Sequence, residues 1–166
     1  NWGTWRLVPE RMLQTIEAVT PPLAVLPGLS WSYLEARVNT AADISKASSA
    51  ATGHSEGLGL KGIAKRSDDY VIVFEGYVEV PTAGEWSFSA SADDASRVFV
   101  SELPIMDSIG TATRETSGVP LRLGKGLHPI RVEFVQWGGD ASLELLWTGP
   151  GQERQPIPAT AYRRKP

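Results

Sequence analysis

The sequence predicts an all-β fold, an antiparallel β-sandwich carrying a short helical N-terminal extension. Three observations point there. Seven or more short segments alternate apolar and polar residues with a period of two, the signature of strands buried on one face. Clusters of Gly, Pro, Asp and Ser separate those segments at short intervals. Helical periodicity is almost absent, and many short strands with little helix pack as two sheets around one core.

Residues 1–27 read as an extension or linker, with Trp2 and Trp5 near its start. Glu10 to Val19 form a short amphipathic run after Pro9, with Met12, Leu13 and Ile16 on one helical face, until Pro21 and Pro22 end it. The two tryptophans are either anchors that bury the segment or exposed rings for stacking on sugars. Leu29 to Glu35 set Leu29, Trp31 and Tyr33 against Ser30, Ser32 and Leu34 and give the first strand of the domain proper, residues 28–162. From Ala36 to Arg66 the pattern fades into Ala, Ser, Thr and Gly, a mostly looped stretch with one short strand expected near Leu58 to Ile63.

The longest ordered stretch follows. Ile72, Phe74, Val78 and Val80 alternate with Val73, Glu75, Tyr77 and Glu79. Pro81 to Gly84 supply turn chemistry, and Trp86, Phe88 and Ala90 then alternate with serines, so the two strands are expected as a hairpin. Asp93 and Asp94 interrupt the alternation before Arg97 to Val100 resume it, which places two consecutive carboxylates in a loop held by strands. Ser101 to Ser117 read as an irregular connection. Val119, Leu121 and Leu123 alternate next, and after the Gly124-Lys125-Gly126 turn so do Ile130, Val132 and Phe134 up to Gln136. Gly138-Gly139-Asp140 is a hairpin-type loop leading into Leu143, Leu145 and Trp147. Residues 163–166 form a basic, solvated tail.

Composition narrows function. With 166 residues, 42% of them hydrophobic and 21% charged, the chain suits one globular domain. A formal net charge of -3 disfavours nucleic acid as a partner, because binding it requires a basic face. No apolar run reaches the roughly 20 residues that span a bilayer, so membrane insertion is not expected. The start at Asn1 suggests a processed chain or an excised piece. The absence of cysteine removes thiolate chemistry and cysteine zinc sites, and two histidines are too few for a His-rich centre, so a bound metal would be held by oxygen.

Two enzyme-like patterns occur between residues 53 and 62. Gly53-His54-Ser55-Glu56-Gly57 matches a nucleophile elbow, and Gly57 to Gly62 match G-x-G-x-x-G. Neither has its context, since no strand-to-helix turn and no βαβ unit is expected around them. Ser55, with His128 as its base, is therefore the weaker hypothesis, and the chain is read as non-catalytic.

Several blocks together carry a resemblance. EGYVEVPTAGEWSFSASADDASRVFV, then LGKGLHPIRVEFVQWGGDASLELLWTGPG, then PIPATAY, resemble the protective-antigen fourteen-kilodalton domain family, over about Gly28 to Tyr162. Pro27 to Tyr33 resemble the opening strand of its bacterial members. The family implies a β-sandwich found in adhesins, flocculins, glycosidases and other secreted or surface proteins, and it implies carbohydrate binding in many members. In its calcium-dependent lectins an Asp-Asp pair, often joined by a cis peptide, binds calcium together with an Asn or Gln from a later loop, and the ion binds sugar hydroxyls. The resemblance carries these roles to Asp93, Asp94 and Gln136 as metal ligands, and to the carbonyls around Trp137 to Asp140. Trp137, Asp140 and Arg97 are the candidate carbohydrate contacts. Ala95 stands where members usually have Gly, and Ser101-Glu102-Leu103 replace the usual Asp-Gly turn.

The residues argue part of this independently. Calcium takes roughly six to eight oxygens, which suits paired carboxylates, an amide and carbonyls. Gln136 shares the parity of Ile130, Val132 and Phe134 and so points inward, where a polar group needs a partner. The alternative is a turn whose carboxylates cap backbone N–H groups. The expected function is thus an extracellular or cell-surface carbohydrate-binding or adhesion module. Its partners would be a glycan or polysaccharide and the other modules of a larger protein; the alternative is an assembly domain that pairs with neighbours or with copies of itself.

Overall fold

The computed structural model describes residues 14–110 and 115–166. Among them, thirteen strands form two antiparallel sheets, the expected all-β sandwich. In chain order these are β1 (Leu26–Pro27), β2 (Leu29–Leu34), helix α1 (Ala41–Lys46), β3 (Ser49–Ser55), β4 (Tyr70–Val80), β5 (Gly84–Asp93) and β6 (Ala95–Val100). There follow β7 (Leu103–Asp107), β8 (Glu115–Ser117), β9 (Leu121–Leu123), β10 (Gly126–Gln136), β11 (Ser142–Gly149), β12 (Gln152–Pro156) and β13 (Tyr162–Arg164).

The larger sheet runs β1-β13-β4-β10-β6-β7, with β2 also paired to β4 and β3 to β2. The smaller runs β12-β11-β5-β8, with β9 also on β5. Strands β4 and β10 pair along their whole length, from Gly126 opposite Val80 to Gln136 opposite Tyr70. This is the spine of the larger sheet. Ile72, Phe74, Val78 and Val80 of β4 and Ile130, Val132 and Phe134 of β10 pack against Trp86, Phe88, Ala90, Leu145 and Trp147 from the other sheet. The period-two reading of these strands therefore identified the residues that fill the space between the sheets.

A second, smaller core lies on the outer face of the larger sheet. Val71, Val73, Ala95 and Val135 are roofed there by Leu34, Val38, Ile109 and the Ala41 and Ile44 side of α1. Asp43 closes the start of that helix by accepting the N–H groups of Thr40 at 2.9 Å and Asn39 at 3.1 Å, a capping box.

Several expectations are corrected. β4 and β5 are joined by the Pro81–Gly84 turn yet belong to opposite sheets, so they arch across the core and do not form a hairpin. β10 and β11 do likewise around Gly138-Gly139-Asp140. Turn residues reverse the chain in either case, and the sequence around a turn does not state which partner each strand takes. The strand expected at Leu58 to Ile63 is absent, because the alternating small residues one segment earlier, Ser49 to Ser55, supply the strand on β2 instead. Ser101 to Ser117 hold β7 and β8. Ser101 and Glu102 adopt φ of 50° and 65°, giving a two-residue turn with positive φ at both positions, the usual link of a tight hairpin.

The helix expected over Glu10 to Val19 is not formed by its described half. Ile16 and Val19 instead make backbone bridges to Leu123 and Leu127, with Ile16 N–H to the Arg122 carbonyl and Gly124 N–H to the Ile16 carbonyl both at 2.8 Å. Burying Ile16 against the main core while pairing its backbone with the β9–β10 turn outweighs an isolated three-turn helix. Trp2, Trp5 and residues 10–13 lie outside the described residues. Arg163 and Arg164, expected as a solvated tail, pair with Leu26 and Pro27, and Arg163 also reaches Glu79 at 2.7 Å.

Candidate functional site

The fold brings the two acids and Gln136 together through its sheet crossings. β5 belongs to the smaller sheet and β6 to the larger, so Asp94 is the point at which the chain changes sheets. β10 and β11 make the reverse change through residues 137–141. Because β5 pairs with β11 and β6 with β10, the two crossings lie side by side: Asp93 stands opposite Ser142, and Ala95 opposite Val135. Strand register thus places Asp93 and Asp94 against the loop after Gln136, more than forty residues away in sequence.

Hydrogen bonds close that juncture. The Asp94 Oδ2 atom accepts the N–H of Trp137 at 2.6 Å and of Gly138 at 3.1 Å. Both bonds land on one oxygen, so Oδ1 is not consumed by them. The peptide between Asp93 and Asp94 is cis, as the resemblance implied. Gln136 is fully buried, and its Nε2 donates to the carbonyls of Gly139 at 3.2 Å and Asp140 at 3.1 Å. Those two bonds fix which way the amide faces. Its Oε1 is buried without a hydrogen-bond partner.

Behind the loop lies a pair of tyrosines. Tyr70, the partner of Gln136 across the sheet, has its ring 5.7 Å from that of Tyr33 and 6.2 Å from that of Phe134. Burial, then the neighbouring Tyr33 and the negative charge of Asp94, push the Tyr70 phenol above its ordinary value. The Tyr33 hydroxyl is also buried and unpartnered. The inner wall of the site therefore holds the Tyr70 and Tyr33 rings, and the Asp94 carboxylate faces the loop.

The donor set tests the metal expectation. Among the described residues no group of three or more His, Cys, Asp or Glu side chains gathers, so a metal held here would draw on amide and carbonyl oxygens as well as the acids. What gathers is a carboxylate pair, an amide oxygen lacking a partner, and loop carbonyls. These are hard oxygen donors, and an unpartnered buried oxygen costs stability unless something binds it. The residues fit calcium.

The remaining expected contacts are placed as follows. Trp137 is half-buried; its indole Nε1 donates to the Val38 carbonyl at 2.6 Å, so the ring packs on the outer core beside α1 and stiffens the loop. The Asp140 side chain is exposed on the loop. Arg97 is not brought into the cluster: it pairs with buried Glu133 at 2.7 Å and lies 4.8 Å over the Phe99 ring on the outer face of the larger sheet. Ser55 and His128, the pair of the serine-enzyme hypothesis, are each bonded to other groups. Ser55 sits in β3, its hydroxyl donating to the Gly57 carbonyl at 2.7 Å, while His128 is held between the Gly124 carbonyl and Ser101 Oγ at 2.8 and 2.9 Å. No strand-to-helix elbow exists at Ser55.

Sequence reasoning missed Asp68. Its carboxylate lies against Gly138: a Cβ built on that glycine would stand 3.2 Å from Asp68 Oδ1. No local signal points to this, because the contact follows from the pairing of Tyr70 with Gln136.

A family model, the PA14 domain, matches residues 27–161. The chain belongs to the PA14 domain family. It is 27% identical over 95 residues to the anti-sigma-I factor RsgI3 of Acetivibrio thermocellus, a match covering 56% of this chain and 15% of that protein. Among solved structures, a PA14 sugar-binding domain from an RTX adhesin superimposes with a TM-score of 0.66 at 20% identity, over 84% of this chain and 99% of that one. The A domain of Epithelial Adhesin 9 from Candida glabrata, in complex with Galb1-4GlcNAc, gives 0.68 at 12% identity, over 89% and 93%. At such identities the structural likeness shows the shared sandwich.

Proposed function

We propose that this PA14 domain is a non-catalytic, calcium-dependent carbohydrate-binding or adhesion module, with its site at Asp93, Asp94, Gln136 and the carbonyls of the loop after it. One observation carries the reading. Gln136 is oriented by two hydrogen bonds from its Nε2, which leaves its buried Oε1 without a partner, in the residue before the Trp137 N–H that Asp94 accepts. Calcium bound there would offer open coordination positions to sugar hydroxyls, and the loop from Trp137 to Asp140, with the exposed part of the Trp137 ring, would contact the sugar. The sugar-binding RTX adhesin domain and the adhesin complex with Galb1-4GlcNAc support a glycan as the partner. The same adhesins support an extracellular or cell-surface setting, and the share of RsgI3 that is matched supports a role as one module of a longer protein.

Calorimetry with calcium, followed by a glycan array with and without a chelator, tests this. One calcium per chain is expected, lost in Asp94→Ala, with glycan signals that vanish on chelation. Absence of calcium binding, or binding unchanged in Asp94→Ala, overturns the metal part. Glycan signals indifferent to the chelator overturn the coupling.

A further inference from the structure

Asp68 precedes β4 in a short turn whose geometry is fixed from both sides. Asp69 adopts a φ of 53°, its carboxylate accepts Arg37 at 3.0 Å, and its carbonyl accepts Arg66. Arg37 is thus paired with the Asp69 carboxylate, and Arg66 is tied to its carbonyl without an ion pair among the described residues. Asp68 is exposed and has no hydrogen bond or ion pair among the described residues, yet it is held against Gly138. Gly138 is the residue whose N–H caps Asp94, so an unneutralised carboxylate stands on the rim of the loop that faces the acid pair. Asp140 adds a second exposed carboxylate on the same loop.

We propose that Asp68 is a specificity-determining residue of this site, a negative charge on its rim that rejects anionic saccharides such as sulfated glycans and admits neutral ones. The inference rests on the calcium and glycan reading above. Two acids at the ion balance the charge of one calcium, so the field a ligand meets is set by the rim. A unit charge roughly 6 Å away in a wet site of high dielectric disfavours a ligand sulfate about three- to tenfold. An exposed charge is screened by salt, so the discrimination weakens as ionic strength rises. For a neutral sugar the same carboxylate is a hydrogen-bond acceptor.

The test is a binding comparison on matched short saccharides, neutral galactose and glucose disaccharides against their monosulfated forms, in calcium, for wild type, Asp68→Asn and Asp68→Lys. The readout is the ratio of acidic to neutral affinity at equal calcium occupancy in each protein, a ratio that a uniform loss of folded protein leaves alone. The expected result is a preference for the neutral member in wild type, reduced about three- to tenfold in D68N and further in D68K, with the effect shrinking in high salt. A wild-type preference for the acidic member, or a ratio unmoved in D68K, overturns the role of Asp68 while leaving the calcium site standing. Failure of wild type to bind calcium in a parallel titration overturns both.

Discussion

Replacing Gln136 by Leu separates a binding role from a packing role. The wild-type side chain is fully buried and makes two hydrogen bonds, to Gly139 and Asp140, while its Oε1 has none. Losing two such bonds costs about 1 kcal/mol each, and removing an unpartnered buried oxygen returns about 1–3 kcal/mol. Gly139 and Asp140 are exposed, so water replaces the amide on their carbonyls. The metal-free variant should therefore lie within about 1 kcal/mol of wild type in either direction. Calcium behaves differently. At about a hundredfold excess over its dissociation constant, a ligand stabilises the folded state by about 2.7 kcal/mol. For a chain of this size that raises Tm by roughly 5–10 °C. Denaturation of both proteins in chelator and in calcium measures the four values. Wild type should gain the calcium increment and Gln136→Leu should not. A variant that is destabilised by several kcal/mol in chelator yet still gains the increment would show that Gln136 packs the loop and binds nothing.

Two further outcomes follow. Gly53 lies opposite Trp31, and a Cβ there would come within 2.4 Å of the indole, so Gly53→Val should displace the ring and cost about 1–3 kcal/mol in denaturant unfolding, with calcium binding unchanged. His128 is fully buried and burial lowers its pKa below the ordinary 6.5, opposed by its bond to the Gly124 carbonyl and the charge of Glu17. The unfolded chain then binds the proton more readily. Stability should fall as pH drops below about 6.5, by at most about 1.4 kcal/mol per pH unit, and be flat above it; unfolding of His128→Gln across pH 5 to 8 should lack that part of the slope.

Which side chains face inward was legible from alternation alone, as Phe74, Phe88, Val132 and Phe134 illustrate. Partnership between strands was not. The turn at Pro81 to Gly84 serves a sheet-crossing arch as well as it would a hairpin, and only the long-range pairing of β4 with β10 and β5 with β11 decides between them. Helix α1 had a readable start in Thr40 and Asp43, a capping box lost among small residues. The site divided in the same way. The meeting of the acid pair with the loop after Gln136 was legible because the blocks around them are distinctive, and the burial of Gln136 because it keeps the inward parity of its strand. Asp68 was not, since it reaches Gly138 only through the register of Tyr70 with Gln136. Arg97 lies apart from the acid pair because parity on β6 sends it to the outer face, where it pairs with Glu133.

The most direct test is a crystal structure of the domain grown in saturating calcium, with an anomalous difference map over the crossing loops. The account predicts one ion in contact with Asp93, Asp94 and Gln136 Oε1 at about 2.3–2.6 Å, with the Gln136 amide still bonded to Gly139 and Asp140 through Nε2. An empty juncture, or an ion that leaves Gln136 Oε1 without a partner, would contradict it.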